Sequence, residues 1–319
     1  MSRSKREIPA ASSAPKRSPF LNADRRLRPA LRLILSLAAW ASASRILRLL
    51  LSQVLDTLFA AWNVNAGNVL RAPTWAQRLY AWQGSLAGFV VSAVMILLSL
   101  TLRRWWLGRE RARGVLRPTD LRHAVAGWLI STLAALAFAG FFLLTDSLRA
   151  EWPVGEPNLT FGLVVLWLLN LLAALSEELF TKGVVMDGLR SPWGLRLAAA
   201  VSAVVFFLSN GGYAGTPVSA INVLLLGLLC CAVYVRHGLW PAVAVRWGWG
   251  FATVFLLGYS GGTRSVYRLY GVSERLLTGG DAGPVYGLWL MAVLLAALAW
   301  MQRDEIKVTI QRMRTPKAG

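Results

Sequence analysis

Apolar residues come along this chain in long, nearly unbroken runs, not in the alternating or every-third-residue pattern of elements with one face in water. Runs near 31–62, 79–102, 124–145, 160–185, 197–212, 218–235, 239–258 and 284–301 predict eight helical spans. Several reach the roughly 20 residues that a helix needs to cross about 30 Å of hydrocarbon. The first run is the least regular. Arg45, Arg48 and Asp56 interrupt it, and it reads as one long tilted helix or as a helix with an amphipathic turn. The pattern predicts an all-α, polytopic integral membrane protein of about eight transmembrane helices. Its helical domain covers 25–302, between a disordered basic tail over 1–24 and a second basic tail over 303–319.

Composition sharpens this picture. Hydrophobic residues make up 56% of the 319 and charged residues only 15%, against about 25% charged in an average soluble protein. Mean hydropathy is +0.51. A disordered chain, a disulfide-rich secreted fold and a soluble enzyme are excluded. Cys230 and Cys231 are adjacent within one apolar run and have no distant partner, so no disulfide framework is expected.

The net charge of +19 would suit a nucleic-acid binder, but its distribution argues otherwise. With the N-terminus inside, 24 of the 34 Lys and Arg fall on one side of the eight spans and six on the other. That bias is the positive-inside signature, and it places both termini in the cytoplasm. The expected setting is a bacterial-type plasma membrane, with the lipid bilayer as a partner and no nucleic acid. The basic stretch 103–123 reads as a topology determinant, and Trp105, Trp106, Trp152 and Trp240 at span ends read as headgroup-level anchors. No internal repeat is evident, which leaves a transporter as a third reading. Gly261-Gly262 and Gly279-Gly280 lack the strand–loop–helix setting of a phosphate loop.

Ionisable groups inside spans are costly and point to function. The fourth span contains Ser176-Glu177-Glu178-Leu179-Phe180-Thr181-Lys182-Gly183. Neighbouring carboxylates diverge by about 100° on a helix. Glu178 and Lys182 have the favourable i,i+4 order for pairing, which leaves Glu177 to face something else. The fifth span ends in Phe206-Phe207-Leu208-Ser209-Asn210, and the seventh carries Arg246-Trp247-Gly248-Trp249-Gly250. At 1.5 Å of rise per residue, Glu177, Asn210 and Arg246 fall roughly 12–20 Å deep, where they could share one polar centre.

These residues resemble the motifs of the CPBP family of intramembrane proteases, which includes the CAAX prenyl proteases and bacteriocin-processing or immunity proteins. The family pattern is EExxxR, FxxxH and HxxxN. Here it reads Glu177-Glu178-x-x-x-Lys182, Phe206-x-x-x-Asn210 and Arg246-x-x-x-Gly250. Family-like surroundings include Gly183, Thr216-Pro217, the Gly238 to Ala242 stretch and Gly279-Gly280-x-x-Gly283-Pro284, so the resemblance runs roughly over 120–302. It implies that the first glutamate activates a water while the histidines and asparagine position it and stabilise the oxyanion, with or without zinc.

Three motif letters survive, and four depart. Arginine is all donor and always charged, so Arg246 cannot relay a proton or ligate a metal, and it is expected to pair with Glu177. Asn210 can donate to an oxyanion but cannot carry a proton, and Gly250 brings no side chain. A catalytic zinc takes three protein ligands, and His123 and His237 match none of the motif positions. No cofactor is therefore expected. The candidate catalytic residues by motif position are Glu177, Glu178 and Asn210, with Lys182, Arg246 and Gly250 at the departed positions. The expected function is a catalytically impaired protease homologue that binds a membrane peptide or lipidated protein. The alternative is an active endopeptidase that uses Glu177 to activate water.

Overall fold

The structure is a computed structural model that describes residues 27–62, 74–112, 115–116, 121–151, 159–210, 215–259, 267–271 and 275–314. The N-terminal tail over 1–24, Trp152 and Gly261-Gly262 lie outside the described residues. The helices are α1 (Pro29–Ala61), α2 (Thr74–Ala112), α3 (Leu121–Leu144), α4 (Leu159–Glu178), α5 (Asp187–Trp193), α6 (Leu195–Ser209), α7 (Pro217–His237), α8 (Leu239–Gly250), α9 (Arg275–Thr278) and α10 (Leu288–Arg314). Two of them change pitch without a break. Helix α4 continues as a π-helix over Leu179–Met186, and α8 does so over Phe251–Leu256.

Each apolar run forms helix, as the pattern predicts. Five stretches are long and apolar enough to cross a membrane: Pro29–Ala61, Trp82–Gly108, Leu121–Leu144, Leu163–Trp193 and Pro217–His237. The apolar helices Leu195–Ser209 and Leu288–Arg303 are shorter. The chain is an all-α membrane protein in which, among the described residues, five helices meet the length and hydropathy of a span.

Local sequence explains the helix starts. Thr216 accepts from the Ser219 amide, and Ser219 Oγ accepts in return from the Thr216 amide. This reciprocal cap, with Pro217 at the first helical position, opens α7. Between α7 and α8 the chain turns at Gly238 with φ of 89°, a conformation that a residue with a Cβ adopts only under strain.

Three features differ from the sequence reading. Residues 148–151 and 268–271 pair as a short antiparallel ribbon, with Leu148 opposite Gly271 and Glu151 opposite Arg268. Four-residue strands held by buried Leu148 and Leu269 are too short to leave an alternating pattern. Helix α2 also runs past 102 to a kink at Gly108, where φ is 78°, before its last turn to Ala112, so Arg103 belongs to a helix and not to a basic loop. Trp106 is buried beneath α1, donating to Ser36 Oγ at 2.8 Å, and is not an anchor at headgroup level. Its neighbour Trp105 is exposed. The C-terminal stretch from 303 is helical as far as Arg314.

Helices α3 and α8 approach closely at Gly248. A Cβ there would lie 2.4 Å from Ser131 Oγ and 2.5 Å from the Trp128 carbonyl oxygen. One buried cluster unites Phe138 and Phe142 of α3, Phe206 of α6, Cys230 of α7, Trp249 of α8 and Leu290 of α10. A second surrounds the π-helical part of α4, where Phe180 stacks on Trp40 at 4.7 Å. Helix α4 thus runs through the middle of the fold, with the motif residues at its change of pitch.

Candidate functional site

The site is built where α4, α6 and α8 meet. Glu177 and Glu178 end the α-helical part of α4, and Gly250 ends that of α8. Two of the three motif helices, α4 and α8, therefore widen into π-helix beside the polar centre, a distortion that is frequent at functional sites.

The two carboxylates diverge, as their adjacency requires. Glu178 turns into the protein and pairs with Lys182, Oε2 to Nζ at 3.1 Å, and both side chains are fully buried. The Lys182 ammonium also lies 4.6 Å from the centre of the Phe206 ring. Glu177 faces α8, where its Oε2 is 3.5 Å from Arg246 Nη2. These two side chains are 22% and 16% exposed, so their pairing is only partly screened.

Arg246 reaches a second partner. Its Nη2 donates to Asn210 Oδ1 at 3.0 Å, while Asn210 Nδ2 donates to the Phe206 carbonyl at 2.9 Å and closes the end of α6. The guanidinium also lies 5.6 Å from the Phe206 ring, so that ring contacts both cations of the site. Glu177, Asn210 and Arg246 do meet in one polar centre, and Glu178 and Lys182 do pair. A cavity of about 30 Å³ borders Asn210, Arg246, Gly250 and Thr253. That is room for about one water molecule.

Gly250 is the most informative departure. A Cβ built there would lie 2.9 Å from Asn170 Oδ1, 3.1 Å from Asn170 Nδ2 and 3.4 Å from Arg246 Nη1. The carboxamide of Asn170 therefore fills the space that a side chain at 250 would need. Asn170 stands seven residues before Glu177, two turns away on the same face of α4. Its Nδ2 donates to the Trp247 carbonyl at 2.7 Å, and Trp247 Nε1 donates to the Trp167 carbonyl at 2.9 Å, so α4 and α8 are stitched twice. Sequence reasoning missed Asn170. Its signal was a single carboxamide inside the apolar stretch Trp-Leu-Leu-Asn-Leu-Leu.

Arg103 was missed as a site neighbour because it stands at the edge of a basic stretch. It is buried, donates to the Gly183 carbonyl in the π-helical turn, and pairs with Asp187 Oδ2 at 2.6 Å. Tyr234 Oη donates to the same Asp187 oxygen at 2.6 Å. This network fixes the helix immediately after Lys182.

His123 and His237 stack at 4.1 Å, far from the motif positions in sequence. Among the described residues no three His, Cys, Asp or Glu side chains converge to hold a metal ion. The Glu177 carboxylate faces a guanidinium, and Asn210 offers that guanidinium its oxygen.

Residues 158–252 match the family model described as type II CAAX prenyl endopeptidase Rce1-like. In this segment the chain is similar to the CPBP/CAAX protease family. The Rce1-like segment contains all seven motif positions, from Glu177 to Gly250, within the wider 120–302 region of resemblance. No curated protein and no solved structure matches the chain.

Proposed function

We propose that this chain is a CAAX-protease-like membrane protein whose polar centre binds a membrane peptide or lipidated partner and is impaired in hydrolysis. The observation that carries this reading is the position of Arg246. One guanidinium occupies both the carboxylate that would activate water and the carboxamide that would face an oxyanion, at 3.5 Å and 3.0 Å. A general base must reach the proton it takes and work near the ambient pH. A carboxylate paired to a permanent cation is poorly suited to that task.

Glu177 would hold Arg246 in place, Asn210 would orient it, and Glu178 with Lys182 would stiffen the helix that presents Glu177. The positive charge of Arg246 would then serve recognition, meeting a carbonyl or carboxylate of the partner. The same proposal places the chain in a bacterial-type plasma membrane with eight crossings and both termini cytoplasmic. It is supported by the 24-to-six charge bias and by the eight apolar runs.

The test is binding of a prenylated CAAX peptide to the protein in liposomes. The native protein and Glu177→Gln should retain the peptide alike, because Glu177 pairs with Arg246 without a hydrogen bond and a carboxamide of the same shape can accept from it. Arg246→Ala should weaken retention by about tenfold, the loss of one charge-assisted hydrogen bond. Peptide binding that is absent in the native protein, or indifferent to Arg246→Ala, contradicts the reading.

A further inference from the structure

A cavity of about 590 Å³ lies between α1, α2 and α4, with Phe255 also in its lining. Its polar lining is Arg48, Ser52 and Asp56 from α1, Gln83 and Ser92 from α2, and Asn170 from α4. The three α1 residues are spaced by four, which puts them on one stripe of the helix. All three are exposed, and neither Arg48 nor Asp56 has a side-chain partner among the described residues. No pairing of Arg48 with Asp56 occurs. Unpaired charges of opposite sign inside a span are costly unless something else meets them.

We propose that this cavity seats the headgroup of an amine-bearing phospholipid, with its phosphate on Arg48 and its ammonium toward Asp56. The guanidinium fork matches phosphate oxygens, and the carboxylate matches the ammonium. The two α-carbons are separated by about 12 Å along the helix axis. Side chains extending from both ends narrow that gap to the reach of a phosphoethanolamine. The acyl chains continue over the adjoining exposed apolar surface, formed by Leu49 of α1 and by Leu86, Val90 and Val94 of α2.

An extended peptide fits this place less well. Every N–H and C=O it brought into hydrocarbon would need a partner. The lining supplies few, because Ser52 Oγ already donates to Leu49 and Asn170 Nδ2 to Trp247. A phospholipid brings no backbone to satisfy. This inference is independent of whether the polar centre at Glu177 hydrolyses anything.

Gly84 supplies a clean test, since it lines the cavity and a Cβ there would meet no atom within 4 Å. Gly84→Leu fills the cavity and gains helix propensity, so it should fold at least as well as the native chain. The purified full chain, stripped of lipid in detergent, would be titrated with phosphatidylethanolamine, phosphatidylglycerol, soluble phosphoethanolamine or a prenylated CAAX peptide. Adducts would be read by native mass spectrometry, and thermal unfolding would be followed in parallel.

The native protein should retain phosphatidylethanolamine one-to-one and melt several degrees higher with it. Arg48→Ala should weaken retention at least tenfold, Asp56→Asn should abolish the preference over phosphatidylglycerol, and Gly84→Leu should abolish retention while melting normally. Four results would each overturn the proposal. They are no adduct in the native protein, undiminished retention in Gly84→Leu, soluble phosphoethanolamine binding as tightly as the lipid, and displacement of the lipid by the peptide in the native protein.

Discussion

At Lys182 and Glu178 two charges are removed completely from solvent, and their mutual contact at 3.1 Å with the Phe206 ring is what makes them tolerable. Breaking a buried pair leaves one uncompensated charge, which costs about 3–5 kcal/mol, whereas replacing both partners can be nearly neutral. Lys182→Met should therefore lower the thermal stability of the detergent-solubilised protein sharply. Adding Glu178→Gln should recover most of the loss, and an additive double variant would show that the pair is not coupled. Asn170 and Gly250 make a second pair of this kind, coupled by volume. Gly250→Asn alone should destabilise by about 1–3 kcal/mol, because its Cβ begins 2.9 Å from the Asn170 oxygen. Combined with Asn170→Ala it should fold better than either single variant, as measured by the melting of all three. At this scale the sequence was partly legible. The i,i+4 spacing announced Glu178 and Lys182, and the motif positions brought Glu177, Asn210 and Arg246 together. Asn170 was not legible, because a glycine in a motif does not say which other side chain takes its space.

Between elements, the critical approach is that of α3 to α8. Gly248 lets the two backbones come together, with the Trp128 carbonyl where a Cβ would fall. Gly248→Ala should push α8 away from α3 and cost about 1–3 kcal/mol. Because Arg246 and Gly250 ride on the same helix, it should also reduce retention of the CAAX peptide. Normal melting and normal retention together would show that α8 is not held by this contact. The π-helical segments were beyond sequence reading, since a widened turn leaves the composition of the run unchanged. Their consequence is visible at Gly183, whose carbonyl accepts from Arg103 while Asp187 takes the same guanidinium at 2.6 Å. Arg103 looked like the first residue of a basic loop because hydropathy alone cannot tell a helix end in lipid from one buried in protein.

For the whole molecule, the apolar runs identified an all-α membrane protein, and residues 158–252 carry the likeness to the CAAX prenyl endopeptidase model. The short ribbon joining 148–151 to 268–271 was invisible because long-range pairing of four residues has no local signature. The global arrangement places a guanidinium among the residues that the family motif devotes to hydrolysis, and the central claim follows from that. The most direct measurement is cleavage of a prenylated CAAX peptide in liposomes by the native protein, by Glu177→Ala, and by a reverted variant. The reverted variant carries Lys182→Arg, Asn210→His, Arg246→His and Gly250→Asn, with Asn170→Ala to make room. The account predicts no cleavage by the native protein or by Glu177→Ala, and cleavage by the reverted variant. Cleavage by the native protein that disappears in Glu177→Ala would contradict it, showing that Glu177 activates water despite Arg246.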